Sequence, residues 1–320
     1  MTRGVLSSGA SGRAFAARRG PDFFIVGAPK CGTTAMAAYL SSHPEVFMAR
    51  KEMHCFGSDL SFGPQFYRRD LDNYLEEYRS WNGERRGGDA SVWYLFSRNA
   101  AAEIHAFNPQ ARILIMLREP VEMMHSLFYQ FRFDGNEPLM TFAEALAAED
   151  GRRAGRHIWR HTYFAQGLIY RDAARYTDQV RRYFDVFGRQ RVNVIIYDDF
   201  AADAAGAYRK VLDFLEVDSA GSEREFEVIN GNKSARSPAL RAVLRNPRLC
   251  SMALKVRPWL PRPVFSALQY VDERLRRSNS RPMARAPLDP ELRRRLKQEF
   301  APEIVRLSEL LGRDLTGWST

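Results

Sequence analysis

Asp22-Phe-Phe-Ile-Val-Gly27 is a short apolar run that feeds directly into Ala28-Pro-Lys-Cys-Gly-Thr-Thr34, and this junction constrains the fold more than any other feature. An unbroken apolar run bounded by turn residues reads as a strand buried on both faces. Ala35 to Ser42 continues as a helix, and His43-Pro44 stops it, because proline disfavours helical backbone in the residue before it. The same unit recurs. A second buried strand is expected over Ala111 to Leu117, ended by Arg118-Glu-Pro120 and followed by a helix over Val121 to Arg132. A third central strand covers Val192 to Tyr197, with a helix over Phe200 to Leu215 behind it. Val46 to Met48 is a short extended piece, and Asp89 to Tyr94 reads as a turn. Further helices are expected around Leu71 to Trp81, Ser97 to Phe107 and Ile169 to Phe187, and over Pro290 to Leu311 with a gap at Pro302. These units predict an α/β fold: a P-loop-type parallel β-sheet flanked by helices on both faces, in a single domain over residues 21–320. Residues 1–20 carry no acidic side chain and read as a disordered basic tail, although their composition loosely resembles an organelle transit peptide.

Charge is unevenly placed. The chain's net charge is +10, but Lys233 to Lys297 alone holds 17 Lys and Arg against 4 Asp and Glu. The rest of the chain is therefore slightly acidic. A concentrated basic region favours anionic ligands, such as a phosphorylated nucleotide, an acidic glycan or an anionic membrane surface, with a solvated basic face as the plainer reading. No zinc-finger spacing or aromatic RNA-binding signature accompanies it, so no nucleic acid partner is expected. No stretch approaches the ~18–20 apolar residues that span a bilayer. Three cysteines form neither a disulfide framework nor paired metal-ligand spacing, which fits a reducing cytoplasm and predicts no metal site.

The loop Gly27-Ala-Pro-Lys-Cys-Gly-Thr-Thr34 is a phosphate site by its context. Backbone N–H groups and a helix N-terminus surround an anion, and Lys30 adds a full positive charge. A nucleotide triphosphatase loop places its lysine after the second glycine; here Lys30 precedes Gly32 and Thr33 follows directly. The second strand ends in Arg118, where such an enzyme usually has a magnesium-binding aspartate. Both departures disfavour an ATP- or GTP-using kinase, which stands as the alternative enzyme class.

The loop resembles the 5′-phosphosulfate loop of sulfotransferases that use 3′-phosphoadenosine 5′-phosphosulfate (PAPS). Leu117-Arg-Glu-Pro-Val-Glu-Met-Met-His-Ser126 resembles that family's 3′-phosphate segment. Lys51-Glu-Met-His-Cys-Phe56 resembles the Lys-Glu segment of its bacterial and heparan-sulfate-type carbohydrate branch. Val194 to Phe200 and Leu310 to Trp318 resemble its later strand and its ending, so the likeness runs from Phe23 to Trp318.

The resemblance implies PAPS as sulfuryl donor, no metal, and a hydroxyl acceptor, first a carbohydrate or glycolipid and next a small phenolic or hydroxylated natural product. Lys30, Cys31, Gly32, Thr33 and Thr34 would hold the 5′-phosphosulfate, Lys30 acting on the leaving oxygen. Arg118 and Ser126 would hold the 3′-phosphate, and Lys233 and Arg236 would come from a loop closing over the nucleotide. Glu52 is the implied base and His54 its rival, with packing beside Phe56 the plainer role for His54. Met53 stands where this branch has proline and Cys55 where an aromatic is common, which predicts altered packing on the acceptor side. Asp89, Ser91 and Tyr94 are expected near the acceptor cleft, and Trp93 and Trp159 as stacking surfaces for a sugar. Plainer readings exist for the charged residues: a surface lysine in a tight turn for Lys30, an ion pair with Lys51 for Glu52, and a salt bridge to Glu119 or Glu122 for Arg118. A binding protein that has lost turnover is the non-enzymatic alternative.

Overall fold

A computed structural model of the chain describes residues 20–63, 70–160, 162–218, 233–235, 274, 280–282 and 286–320. The basic tail, Arg236, Cys250 and most of the basic region Lys233 to Lys297 lie outside them. Strand β1 (Phe23–Gly27) leads through the glycine loop into helix α1 (Thr33–Ser41), followed by β2 (Val46–Met48) and α2 (Leu71–Glu76). Then come β3 (Arg86–Ala90), α3 (Ala100–Phe107), β4 (Arg112–Leu117), α4 (Pro120–Asp134) and, after a set of short helices, β5 (Val192–Ile196). The five strands form one sheet in the order β2-β3-β1-β4-β5, with every pair parallel. All five residues of β1 are buried, so the sheet is covered on both faces there, as its apolar composition requires. Each of its buried Phe and Ile side chains contributes about 1.5–3 kcal/mol relative to exposure.

The expected class is therefore present, with one strand more in the five-stranded sheet than the periodicity gave. Asp89 lies in β3, in the middle of the sheet and opposite Phe24, rather than in a turn. Gly87-Gly88 disguises this strand, yet both glycines are sterically required. A Cβ at Gly88 would lie 2.2 Å from the Phe23 ring, and one at Gly87 would lie 2.4 Å from the Trp81 ring. Glycine here marks close packing and not a bend.

Several helices also differ. The helix at Leu71 stops at Glu76, and the one expected from Ser97 begins at Ala100. Ile169 to Phe187 divides at Arg175 into Tyr170–Ala174 and Tyr176–Phe187, and the helix behind β5 divides at Asp203 into Tyr197–Ala202 and Ala204–Leu215. The Asp203 carboxylate caps the second of those, accepting from the Gly206 N–H, which is the local reason for the break. Pro290–Leu311 runs without a gap, carrying Pro302 inside it. The backbone of Lys233–Ala235 pairs antiparallel with Ser280–Pro282 and packs against α4.

Among the described residues no helix is long and apolar enough to cross a membrane, and no group of three or more His, Cys, Asp or Glu is arranged to hold a metal ion.

Candidate active site

In a parallel sheet of this kind, ligands sit outside the carboxyl ends of the strands, where the order reverses. Here β1 continues to β2 on one side and the chain later reaches β4 on the other. A cavity of about 640 Å³ opens there. Every strand delivers residues to it: Lys30 and Gly32 after β1, Lys51 and Glu52 after β2, Val92 and Trp93 after β3, Arg118 after β4 and Tyr197 after β5. Its volume falls within the usual range for a small-molecule site.

The loop after β1 turns through Lys30 and Gly32, both at positive φ (64° and 90°). Gly32 is the N-cap of α1, and among the described residues no side chain caps that end. An uncapped helix N-terminus facing a cleft, with a lysine beside it, is an anion site. Lys30 Nζ donates to Gln130 Oε1 of α4 at 3.0 Å, which holds the ammonium across the cleft. Thr34 Oγ1 accepts from Lys51 Nζ at 2.7 Å. Thr33 and Thr34 both line the cavity. The Cys31 side chain does not: it is fully buried, donates to the Pro29 carbonyl, and has its thiol pushed up to about 12 by burial. Any part Cys31 plays in the site belongs to its main chain.

Arg118 reaches the cavity from the end of β4. Its guanidinium lies 4.6 Å over the Tyr197 ring and 3.5 Å from Glu122 of α4. Of the two carboxylates considered as partners, Glu122 is the one engaged; Glu119 caps α4, accepting from the N–H groups of Val121 and Glu122. Ser126, buried, lines the cavity further along α4.

Glu52 and His54 stand at positive φ (59° and 49°), so the segment between them has an unusual backbone that its surroundings must hold. A buried network does this. Asp89, fully buried in β3, accepts from Ser91 Oγ (2.7 Å), Tyr74 OH (2.8 Å) and Tyr94 OH (3.0 Å). Ser91 Oγ in turn accepts from the His54 N–H, and Tyr94 OH from the Cys55 N–H. Asp89, Ser91 and Tyr94 thus lie behind the cleft and fasten its Glu52 segment, instead of lining it. Met53 and Cys55 are buried on the same inner side, so their departure from the branch pattern alters the core and not the acceptor side.

Glu52 Oε1 is 3.8 Å from Lys51 Nζ, and Oε2 accepts from the Val92 N–H at 3.3 Å. Burial raises its pKa above the ordinary 4.5, while Lys51 and that N–H pull it back down. His54 Nε2 lies 3.5 Å from Glu52 Oε2. Burial pushes the His54 pKa down to about 4, so the ring is neutral near pH 7. Its ring stacks on Phe62 at 4.2 Å, not on Phe56. An imidazole so depressed is a poorer base than a carboxylate raised above 4.5, and the more exposed Glu52 reaches the cavity better.

Burial similarly raises the Asp89 pKa to about 6, against hydrogen bonds that lower it. The folded carboxyl then binds its proton more tightly than the unfolded one, with ordinary value 3.8. Folding takes up protons between about pH 4 and 6, and the Asp89 contribution to stability falls as pH rises through that window. Asp89→Asn should remove this component, so the stability difference between wild type and variant in urea titrations should change across that window and level off above it. A constant difference would show that Asp89 titrates normally.

The cleft thus gathers Lys30, Gly32, Thr33, Thr34, Glu52, His54, Arg118, Ser126 and Trp93. Trp159 is exposed outside it, and Lys233 is described only as backbone beside α4. Sequence reasoning missed Gln130, Asp134, Tyr163 and Phe62 as lining residues. Gln130 and Asp134 could have been found, since they follow Ser126 at four-residue steps on one helix.

The sulfotransferase domain family matches residues 20–237. Carbohydrate sulfotransferase 15 of Homo sapiens is 26% identical over 289 residues, covering 74% of this chain and 50% of that protein. Heparan sulfate glucosamine 3-O-sulfotransferase 6 of Homo sapiens is 26% identical over 305 residues, covering 94% of this chain and 74% of that protein. The chain spans about half the length of the carbohydrate sulfotransferase 15 relatives it matches. A solved sulfotransferase from Alicyclobacillus acidocaldarius superposes with a TM-score of 0.67 at 29% identity, covering 94% of this chain and all of that one.

Proposed function

The chain belongs to the sulfotransferase domain family, and from that premise we propose that it moves a sulfuryl group from PAPS to a hydroxyl of a carbohydrate or glycolipid. The observation that carries this reading is the convergence of Lys30, the uncapped start of α1, Arg118 and Glu52 on one cleft. Cations and N–H donors suit the two phosphate ends of the donor, and a carboxylate of raised pKa suits the acceptor's proton. The N–H groups at the start of α1, with Thr33 and Thr34, would hold the 5′-phosphosulfate. Arg118 and Ser126 would hold the 3′-phosphate, with Tyr197 beneath the guanidinium fixing its plane.

Transfer is an in-line displacement. The acceptor oxygen forms the new O–S bond, its proton passes to Glu52, and the bond from sulfur to the 5′-phosphate oxygen breaks with adenosine 3′,5′-bisphosphate leaving. Lys30 steadies the charge that grows on that departing oxygen. His54, neutral and packed on Phe62, buttresses Glu52. The carbohydrate acceptor is supported by the names of the human relatives and by the aromatic rings in the cleft. A cytoplasmic location, resting on cysteine usage, and peripheral membrane contact through residues 233–297 belong to the same proposal.

The test is transfer of radioactive sulfate from labelled PAPS to a panel of glycosides, glycolipids and phenols, without added metal. Labelled glycoside or glycolipid product supports the reading; label confined to phenols would move the acceptor class to aromatic natural products.

A further inference from the structure

A carboxylate stands beside the arginine that would hold the 3′-phosphate. Glu122 lies on α4 one turn before Ser126, and its Oε2 is 3.5 Å from the Arg118 guanidinium. Burial works against its charge, yet Arg293, Arg118 and His125 hold its pKa below the ordinary 4.5, so it is an anion near pH 7. Arg118 and Glu122 taken alone cancel. A phosphate arriving at that pair would have to compete with the carboxylate for the guanidinium.

The C-terminal helix, Pro290–Leu311, supplies what offsets this. Arg293 stands in its first turn and donates to Glu122 Oε1 at 2.5 Å. The two contacts of the carboxylate are unequal. The one to Arg293 is a short charge-assisted hydrogen bond, whereas 3.5 Å to Arg118 is an ion pair beyond ordinary hydrogen-bond length. Glu122 is therefore committed to Arg293. Arg118 keeps N–H donors for the cleft, with its plane laid on the Tyr197 ring. The side chains of Arg118, Glu122 and Arg293 are 20%, 26% and 38% exposed, so solvent and salt screen them only in part.

We propose that Arg293 is a positioning residue for the donor: by holding Glu122 it keeps Arg118 available to the nucleotide's 3′-phosphate. It acts through Glu122 and not by touching the nucleotide, and its charge turns this corner from neutral to cationic. The C-terminal helix is thereby coupled to donor affinity, although none of the described lining residues of the cavity comes from it. Loss of Arg293 frees the carboxylate to close on Arg118, so the penalty falls on ligands that carry a 3′-phosphate. Neutralising Glu122 as well removes the competitor.

The inference rests on the sulfuryl-transfer reading, which puts the 3′-phosphate at Arg118, and the experiment separates the two. Calorimetry compares adenosine 3′,5′-bisphosphate with adenosine 5′-monophosphate on wild type, Arg293→Ala, Glu122→Gln and the double variant. Arg293→Ala should weaken the bisphosphate about tenfold and the monophosphate by less than about twofold. Glu122→Gln alone should bind the bisphosphate as tightly as wild type or tighter. Adding Glu122→Gln to Arg293→Ala should restore affinity to within about threefold of wild type, since the corner then carries the wild-type net charge. A helix-neutral or merely structural role for Arg293 would show no such restoration. Unchanged affinity in a folded Arg293→Ala, an equal loss for both nucleotides, or no restoration in the double variant overturns the proposal. A loss of about tenfold in Glu122→Gln alone overturns it too, so the proposal can fail even if Arg293→Ala does not fold. Wild type that binds both nucleotides equally removes the 3′-phosphate from Arg118, and the proposal with it, and leaves a nucleotide site standing. Wild type that binds neither overturns the sulfuryl-transfer reading and the proposal together.

Discussion

Glu52→Gln should lower kcat by roughly 10²- to 10⁴-fold while leaving nucleotide affinity near that of wild type. The amide keeps the size of the carboxylate but cannot take the acceptor's proton. Glutamine can also still accept from the Val92 N–H, so the strained segment keeps that tie. The pH profile makes the assignment specific. Burial holds the Glu52 pKa above 4.5, and the carboxylate must be ionised to act. Wild-type kcat/KM should therefore rise with pH along an acid limb placed above 4.5, and the limb should vanish in Glu52→Gln. His54, with its pKa down at about 4, offers the competing explanation. His54→Asn should keep the limb where it is. Loss of the limb in His54→Asn and its survival in Glu52→Gln would transfer the role to the imidazole.

Lys30→Ala should cost about 10²- to 10³-fold in kcat, the magnitude expected when one preorganised donor to a developing oxyanion is removed. It should weaken adenosine 3′,5′-bisphosphate binding as well, because the ammonium stands beside the uncapped start of α1. Lys30→Arg should recover little. The ammonium is a compact point charge held against Gln130 at 3.0 Å, and a guanidinium is larger, planar and forked. Steady-state kinetics beside calorimetry separates the outcomes. A fall in affinity with kcat preserved would make Lys30 a binding residue alone, and no change in either would place it outside the site.

The donor half of this site was legible in the sequence and the acceptor half only in part, through Glu52, His54 and Trp93, for a physical reason. Phosphate recognition uses a contiguous device, a strand, a glycine turn and a helix start, so Gly27 to Thr34 announces itself. Arg118 and Ser126 are likewise local to one strand end and the helix after it. The acceptor wall is assembled across the chain. Phe62, Trp93, Phe131 and Tyr163 come from four separate segments, and only folding brings their rings together.

Strand β3 escaped for a different reason. Its Gly87-Gly88 pair is the usual mark of a turn, yet here it lets the Phe23 and Trp81 rings pack against the sheet. The resemblance places Asp89 near the acceptor cleft, whereas it lies inside the protein and anchors the Glu52 segment through Ser91 and Tyr94. The division of the helix at Arg175 had no strong signal, since Tyr170 and Tyr176 on either side keep the apolar spacing of one helix.

The most direct test of the account is calorimetric titration of the wild-type protein with adenosine 3′,5′-bisphosphate, with and without magnesium, beside ATP. The account predicts binding that is indifferent to magnesium and tighter than that of ATP, because Arg118 and the loop after β1 engage two separate phosphates. Absence of binding, or a preference for magnesium-ATP, would contradict it.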